Sequence, residues 1–232
     1  MSNEILEFNY KFKFPSGIEK EFQISLEAES LKYLNDWQGD LPKWTELGFH
    51  QCPDCTLKES AFKNCPAAAN LHPIMEFFRE ANSFDECEIT LETPERIYSK
   101  QTSVQKGVSS MIGIIMSVSG CPILSKLKPM ARFHLPFASP QETLYRAMSM
   151  YLVQEYFKHK QGLPADWKLQ NLMKIYDDVH EVNIAFAKRL SSMESKDADV
   201  NALIILDNLG NYVNFSLDHE KLKSIEDLFK DL

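Results

Sequence analysis

The chain has 232 residues, 44% of them hydrophobic and 25% charged, with aromatic side chains making up 11% and spread along the whole length. That is enough apolar material for one substantial core, and it excludes a disordered chain, which lacks the buried surface to offset its conformational entropy. A formal net charge of -8 and a pI near 5.3 argue against general attraction to nucleic acid or an anionic bilayer, because both need Lys and Arg to neutralise phosphates.

The first elements read as strands. Ile5 to Phe14 alternates Phe8, Tyr10, Phe12 and Phe14 with Glu7, Asn9, Lys11 and Lys13, the period of a strand with one buried face. Pro15-Ser16-Gly17 supplies turn chemistry, and Glu21 to Leu26 resumes the alternation, which predicts an N-terminal β-hairpin. The opening MSNEILEFNY is acidic and has no apolar run of the kind an export signal carries, so a cytoplasmic setting is expected. A short helix is expected near Ala28 to Asn35, completing a segment over residues 1–48. Residues 49–73 form a Cys-rich loop, and a helix is expected from Ile74 to Asn82. Glu86 to Leu91 and Arg96 to Ser103 then read as two more strands, turning at Glu92-Thr93-Pro94.

From residue 104 the period becomes helical. Val104, Val108, Met111, Ile112 and Ile115 share a face, and Gly120 followed by Pro122 stops that helix with Cys121 just beyond it. Its apolar stretch is far shorter than the ~20 residues of a bilayer span, so no membrane association is expected. Leu144, Met148, Tyr151, Leu152 and Tyr156 mark a second helix. A third runs from Trp167 to Leu190, with Leu172, Ile175, Tyr176, Val179, Val182 and Phe186 on its stripe, and the helical region extends over residues 104–195. Over residues 200–232, Ala202 to Leu206 and Tyr212 to Leu217 flank Asp207-Asn208-Leu209-Gly210 and read as a second hairpin, with a final helix capped by Asp218. The expected architecture is α+β: a single domain with β-hairpins at both ends and helices between them.

Four of the five cysteines sit where sulfur–metal chemistry would explain them. Cys52-Pro-Asp-Cys55 has the C-x2-C spacing that lets two thiolates reach one ion from a tight turn, Cys65 follows, and Cys121 completes a candidate set of four. Cys52, Cys65 and Cys121 each precede a proline, which fixes chain direction and removes an amide donor after the sulfur. Four thiolates suit either structural zinc or an iron–sulfur cluster. His50 and His134 are the substitutes if Cys121 stays away. A redox thiol pair and ordinary packed thiols are the competing readings, while Cys87, beside Asp85, Glu86 and Glu88, reads as packing.

Charge is unevenly distributed. Residues 101–190 carry 11 basic and 6 acidic side chains, against 10 and 18 in residues 1–100. A small anionic ligand would therefore be received around Lys126, Lys128, Arg132 and Arg146, where a solvated basic face is the plainer alternative.

The stretches HQCPDC, NCPAAANL, KQTSVQKGVSSMIGIIMSVSGCP and KPMARFHLPFASPQETLYRAMSMYL resemble a family of uncharacterised bacterial proteins, a domain of unknown function spanning essentially the full chain. The resemblance implies a bacterial cytosolic setting and brings no activity or catalytic residue with it. Two functional expectations follow from the residues. One is a metal-stabilised sensing or interaction module with an unidentified protein partner. The other is an iron–sulfur or thiol-dependent enzyme that acts on a small anionic substrate beside Lys128, Arg132 and His134.

Overall fold

The alternation at the N-terminus becomes a hairpin in which β1 (Ile5–Lys13) pairs antiparallel with β2 (Glu19–Glu27), bringing Phe8 opposite Ile24 and Tyr10 opposite Phe22. The computed structural model describes residues 4–34, 37–193, 197–218 and 222–230. On its other edge β1 pairs with β3 (Glu86–Glu92), and β3 with β4 (Ile97–Ser103), giving an antiparallel sheet of order β2-β1-β3-β4. Leu6, Phe8, Tyr10, Phe12, Ile24, Leu26, Ile89 and Leu91 are all buried, as period-two alternation requires of one covered face. The other face carries exposed charge, with Lys11 reaching Glu19 at 2.6 Å and Glu21 at 3.5 Å.

Helices cover the apolar face. α1 (Pro66–Phe78) precedes β3, and α2 (Val104–Val118) leaves β4 directly and is buried on nearly every side, so it forms the centre of the molecule. After the short α3 (Lys128–Arg132) come α4 (Pro140–Lys160), α5 (Gln170–Leu190) and α6 (Ala198–Asp218). α4 begins with a capping box: Ser139 Oγ accepts from the Glu142 amide at 3.2 Å, while Glu142 Oε2 accepts from the Ser139 amide at 2.8 Å. α6 packs on both α2 and α5, and a second, smaller apolar cluster joins α4 to α5 and α6 through Leu144, Tyr151, Leu172 and Val213. A last turn, α7 (Lys223–Glu226), tucks Ile225 inside. No helix of the described residues is long and apolar enough to cross a membrane. The α+β class expected from the sequence is the observed one.

Three expectations are corrected. The helix expected near Ala28 to Asn35 is a turn over its described part: Leu31 has φ 54°, and Tyr33 returns to bridge Leu26 of β2. Asn35 lies outside the described residues. The helix expected from Ile74 begins at Pro66, because proline suits a first helical turn, and Pro73 lies within it. The C-terminal hairpin is instead the single helix α6. Its apolar run looks strand-like and Asp-Asn-Leu-Gly looks like a turn, yet these residues serve helix packing. Asp207 accepts from His180 Nδ1 and Asn183 Nδ2 of α5, each at 2.9 Å, and Gly210 lies against the Tyr176 ring.

Candidate metal centre

The four cysteines arrive from three segments. Cys65 caps α1, and its amide donates to the Thr45 carbonyl at 2.8 Å. Leu47 donates to the Lys63 carbonyl at 2.9 Å and Glu46 bridges Asn64, so residues 45–47 pair back on 63–65 and close the intervening loop at its base. Within that loop Cys52 and Cys55 stand on one turn, the Cys55 amide donating to the Cys52 carbonyl at 3.2 Å. Cys121 enters from the end of α2. Gly120 takes φ +89°, a left-handed conformation that glycine adopts without strain, and so turns the chain out of the helix. Asn70 Nδ2 of α1 donates to the Ser119 carbonyl at 3.2 Å and holds that corner against α1.

These connections bring the four thiols into one another's electrostatic range. Cys52 is pushed up to about 12 by burial, with Cys65, Cys121 and Cys55 adding to the rise and Arg189 opposing it. Cys121 is also raised, chiefly by burial; the Leu124 and Ile123 amides, which donate to its sulfur, oppose the rise, and Cys65 and Cys55 add to it. Amide donors of this kind stabilise a thiolate. All five cysteines are free thiols, Cys65 and Cys121 buried and Cys52 and Cys55 half-buried. Among the described residues no group of three or more His, Cys, Asp or Glu side chains has the arrangement of a metal site. The thiols are thus neighbours rather than a closed tetrahedron.

Sequence reasoning missed Arg189. It is 1% exposed, near the end of α5. Nη1 donates to the carbonyls of Trp44 at 2.7 Å and Glu46 at 2.8 Å, and Nη2 to that of Leu47 at 3.1 Å. Nε is buried without a partner, and no ion pair reaches this guanidinium among the described residues. The potential negative charges that it faces are Cys65, Cys52 and Cys55. A signal existed: Val182, Phe186 and Arg189 fall at i, i+4 and i+7, which places a cation on the apolar stripe of a helix.

The other candidates lie elsewhere. His50 is exposed, its ring against Phe49. His134 forms a triangle with Tyr10 and Ser110: Nε2 is 2.8 Å from the Tyr10 hydroxyl and 3.1 Å from Ser110 Oγ. Burial, aided by the Arg146 charge, pushes His134 down to about 3. Cys87 is fully buried in β3, as packing predicts. Of the basic residues, Lys126 pairs with Asp178 at 2.9 Å, Lys128 donates to the Ser30 carbonyl, and Arg132 lies over the Phe133 ring. Arg146 alone of that group lines a cavity.

No curated protein and no solved structure matches the chain. A family model matches residues 8–230, and the chain belongs to that family, described as "Domain of unknown function (DUF6901)".

Proposed function

We propose that Cys52, Cys55, Cys65 and Cys121 hold one metal centre, zinc or an iron–sulfur cluster, and that it pins the loop before α1 and the corner after α2 into a binding or sensing module. The observation that carries this reading is Arg189. A buried guanidinium without a carboxylate is costly, and its counter-charge has to come from whatever it faces, here three of the four thiols. Four thiolates on a divalent ion carry net negative charge, which the guanidinium would offset. The two amides aimed at the Cys121 sulfur favour the same deprotonated state. Cys52 and Cys55, half-buried on an irregular loop, are the pair placed to move toward the buried Cys65 and Cys121.

A redox thiol pair fits less well. Such a pair needs a depressed thiol pKa, commonly at a helix N-terminus, whereas Cys52 is raised to about 12 and its turn does not lead into a helix.

The test is metal analysis with a visible spectrum on anaerobically purified protein, followed by chelation under reducing conditions. One metal centre per chain and a fall in melting temperature on its removal are expected, with brown colour marking iron–sulfur and a colourless sample zinc. Absence of stoichiometric metal, together with unchanged stability after chelation, would refute the reading.

A further inference from the structure

A cavity of about 410 Å³ lies among α2, α3, the start of α4, α5 and α6, within the range of ~300–1,000 Å³ typical of small-molecule sites. Most of its wall is apolar, supplied by residues such as Ile114, Met116, Leu127, Val179 and Leu206. Among the described residues, its charged lining is entirely cationic: Lys100, Lys106 and Arg146, with no Asp or Glu. In a chain with eight more acidic than basic side chains, that is a local reversal of sign.

The cations keep donors to spare. Arg146 Nη2 donates to the Met130 and Phe133 carbonyls, both at 2.9 Å, while Nη1 and Nε have no acceptor among the described residues. Lys100 and Lys106 are exposed and form no ion pair there, so they stand on the solvent side of the cavity. Glu142, a carboxylate within the field of Lys100 and Arg146, is occupied by the Ser139 amide and hydroxyl at 2.8 Å each. Tyr176, beside Arg146, and Asn183 both line the cavity from α5, two turns or ~10 Å apart along that helix. Asn183 is 3% exposed and its Oδ1 is buried without a partner.

We propose that this cavity binds an amphipathic monoanion, a carboxylate on a hydrocarbon body. The carboxylate sits at the Lys100, Lys106 and Arg146 end, and the hydrocarbon lies along α5 between α2 and α6. Charge sets the orientation and the apolar wall supplies most of the affinity. This inference is independent of the metal centre.

The test is calorimetric titration of the full chain with decanoate and with its uncharged analogue decanol. Saturable one-to-one binding of decanoate is expected, with decanol weaker by roughly tenfold or more, the discrimination that a charge-assisted contact supplies. Lys100→Met with Lys106→Met should shrink that preference while leaving decanol unchanged, and Arg146→Met should shrink it further. Gly113→Leu should abolish both titrations, since a side chain there starts in ordinary contact with Leu206 at 3.4 Å and grows into the cavity. Arg146→Met removes two loop-anchoring bonds; should it not fold, the exposed lysine pair carries the charge test. Equal affinity for acid and alcohol in the native protein, no saturable binding, or a preference unaltered in the folded double lysine variant would overturn the proposal.

Discussion

Asp199, the second residue of α6, is 1% exposed, and neither carboxylate oxygen has a hydrogen-bond partner. Burial raises it to about 7 from 3.8, and the Glu76 charge on α1 adds to the rise. A native-state pKa above the unfolded one means that the folded chain holds a proton the unfolded chain has released. Stability from this group is therefore complete below 3.8 and is lost as pH rises toward 7. Three pKa units at ~1.4 kcal/mol each set an upper bound of about 4 kcal/mol on that loss. Asp199→Asn removes the charge but adds an amide donor that needs a partner, at a cost of about 1–3 kcal/mol. The variant should thus equal or fall below the native protein near pH 4 and exceed it by about 1–3 kcal/mol near pH 8. Urea unfolding of both proteins across that range, followed by circular dichroism, isolates this group because other titrations cancel in the difference. A difference constant to within ~0.5 kcal/mol would refute the argument, and Asp199 would then be ionised and solvated in the native state.

Gly107→Ala should destabilise by about 1–3 kcal/mol by urea unfolding, because a Cβ there would stand 2.5 Å from Ile89 Cδ1 and 2.6 Å from Phe12 Cε1, where α2 crosses the sheet. His134 has the opposite sign to Asp199: its pKa is depressed from 6.5 to about 3, so the stability it contributes is intact above 6.5 and drains as pH falls below it. His134→Gln should remove part of that acid sensitivity, at most ~1.4 kcal/mol per pH unit by the same unfolding assay. Arg189→Met should weaken metal retention by roughly 10–100-fold in a chelator competition, with Arg189→Lys losing less because it keeps the charge.

The elements that were legible in the sequence are those whose side-chain period had no rival. β1 alternates three aromatics, Phe8, Tyr10 and Phe12, with polar residues, and α2 repeats its apolar face until Gly120 stops it. The C-terminal helix was misread because Ala202 to Leu206 is a continuous apolar run, which strand and buried helix share; what separates them is the partner, and the partners here are the helices α2 and α5. The turn that carries Cys52 and Cys55 could be read because C-x2-C is a local pattern. The groups around it could not, because Arg189 reaches carbonyls more than 140 positions away. His134 illustrates the same limit. Its neighbours in sequence offered a basic loop, and its neighbours in space are Tyr10 of β1 and Ser110 of α2.

The two proposed sites share one wall. Leu124 donates its amide to the Cys121 sulfur and also lines the cavity, and the chain continues from it through Leu127, Met130 and Ala131, which line the cavity as well. A metal that fixes Cys121 would restrict the backbone from which this wall is built, so part of the ordering that a ligand must otherwise impose would already be done. Linkage makes the effect reciprocal: any factor by which metal tightens decanoate binding is the factor by which decanoate tightens metal binding. The measurement is the decanoate titration repeated on chelated, reduced protein and compared with the metal-loaded form, alongside chelator competition with and without decanoate. A several-fold loss in the first and an equal gain in the second are expected. If ligand affinity is indifferent to the metal while both still bind, the segment after Cys121 is rigid without it, and the metal centre and the cavity act as separate devices on one scaffold.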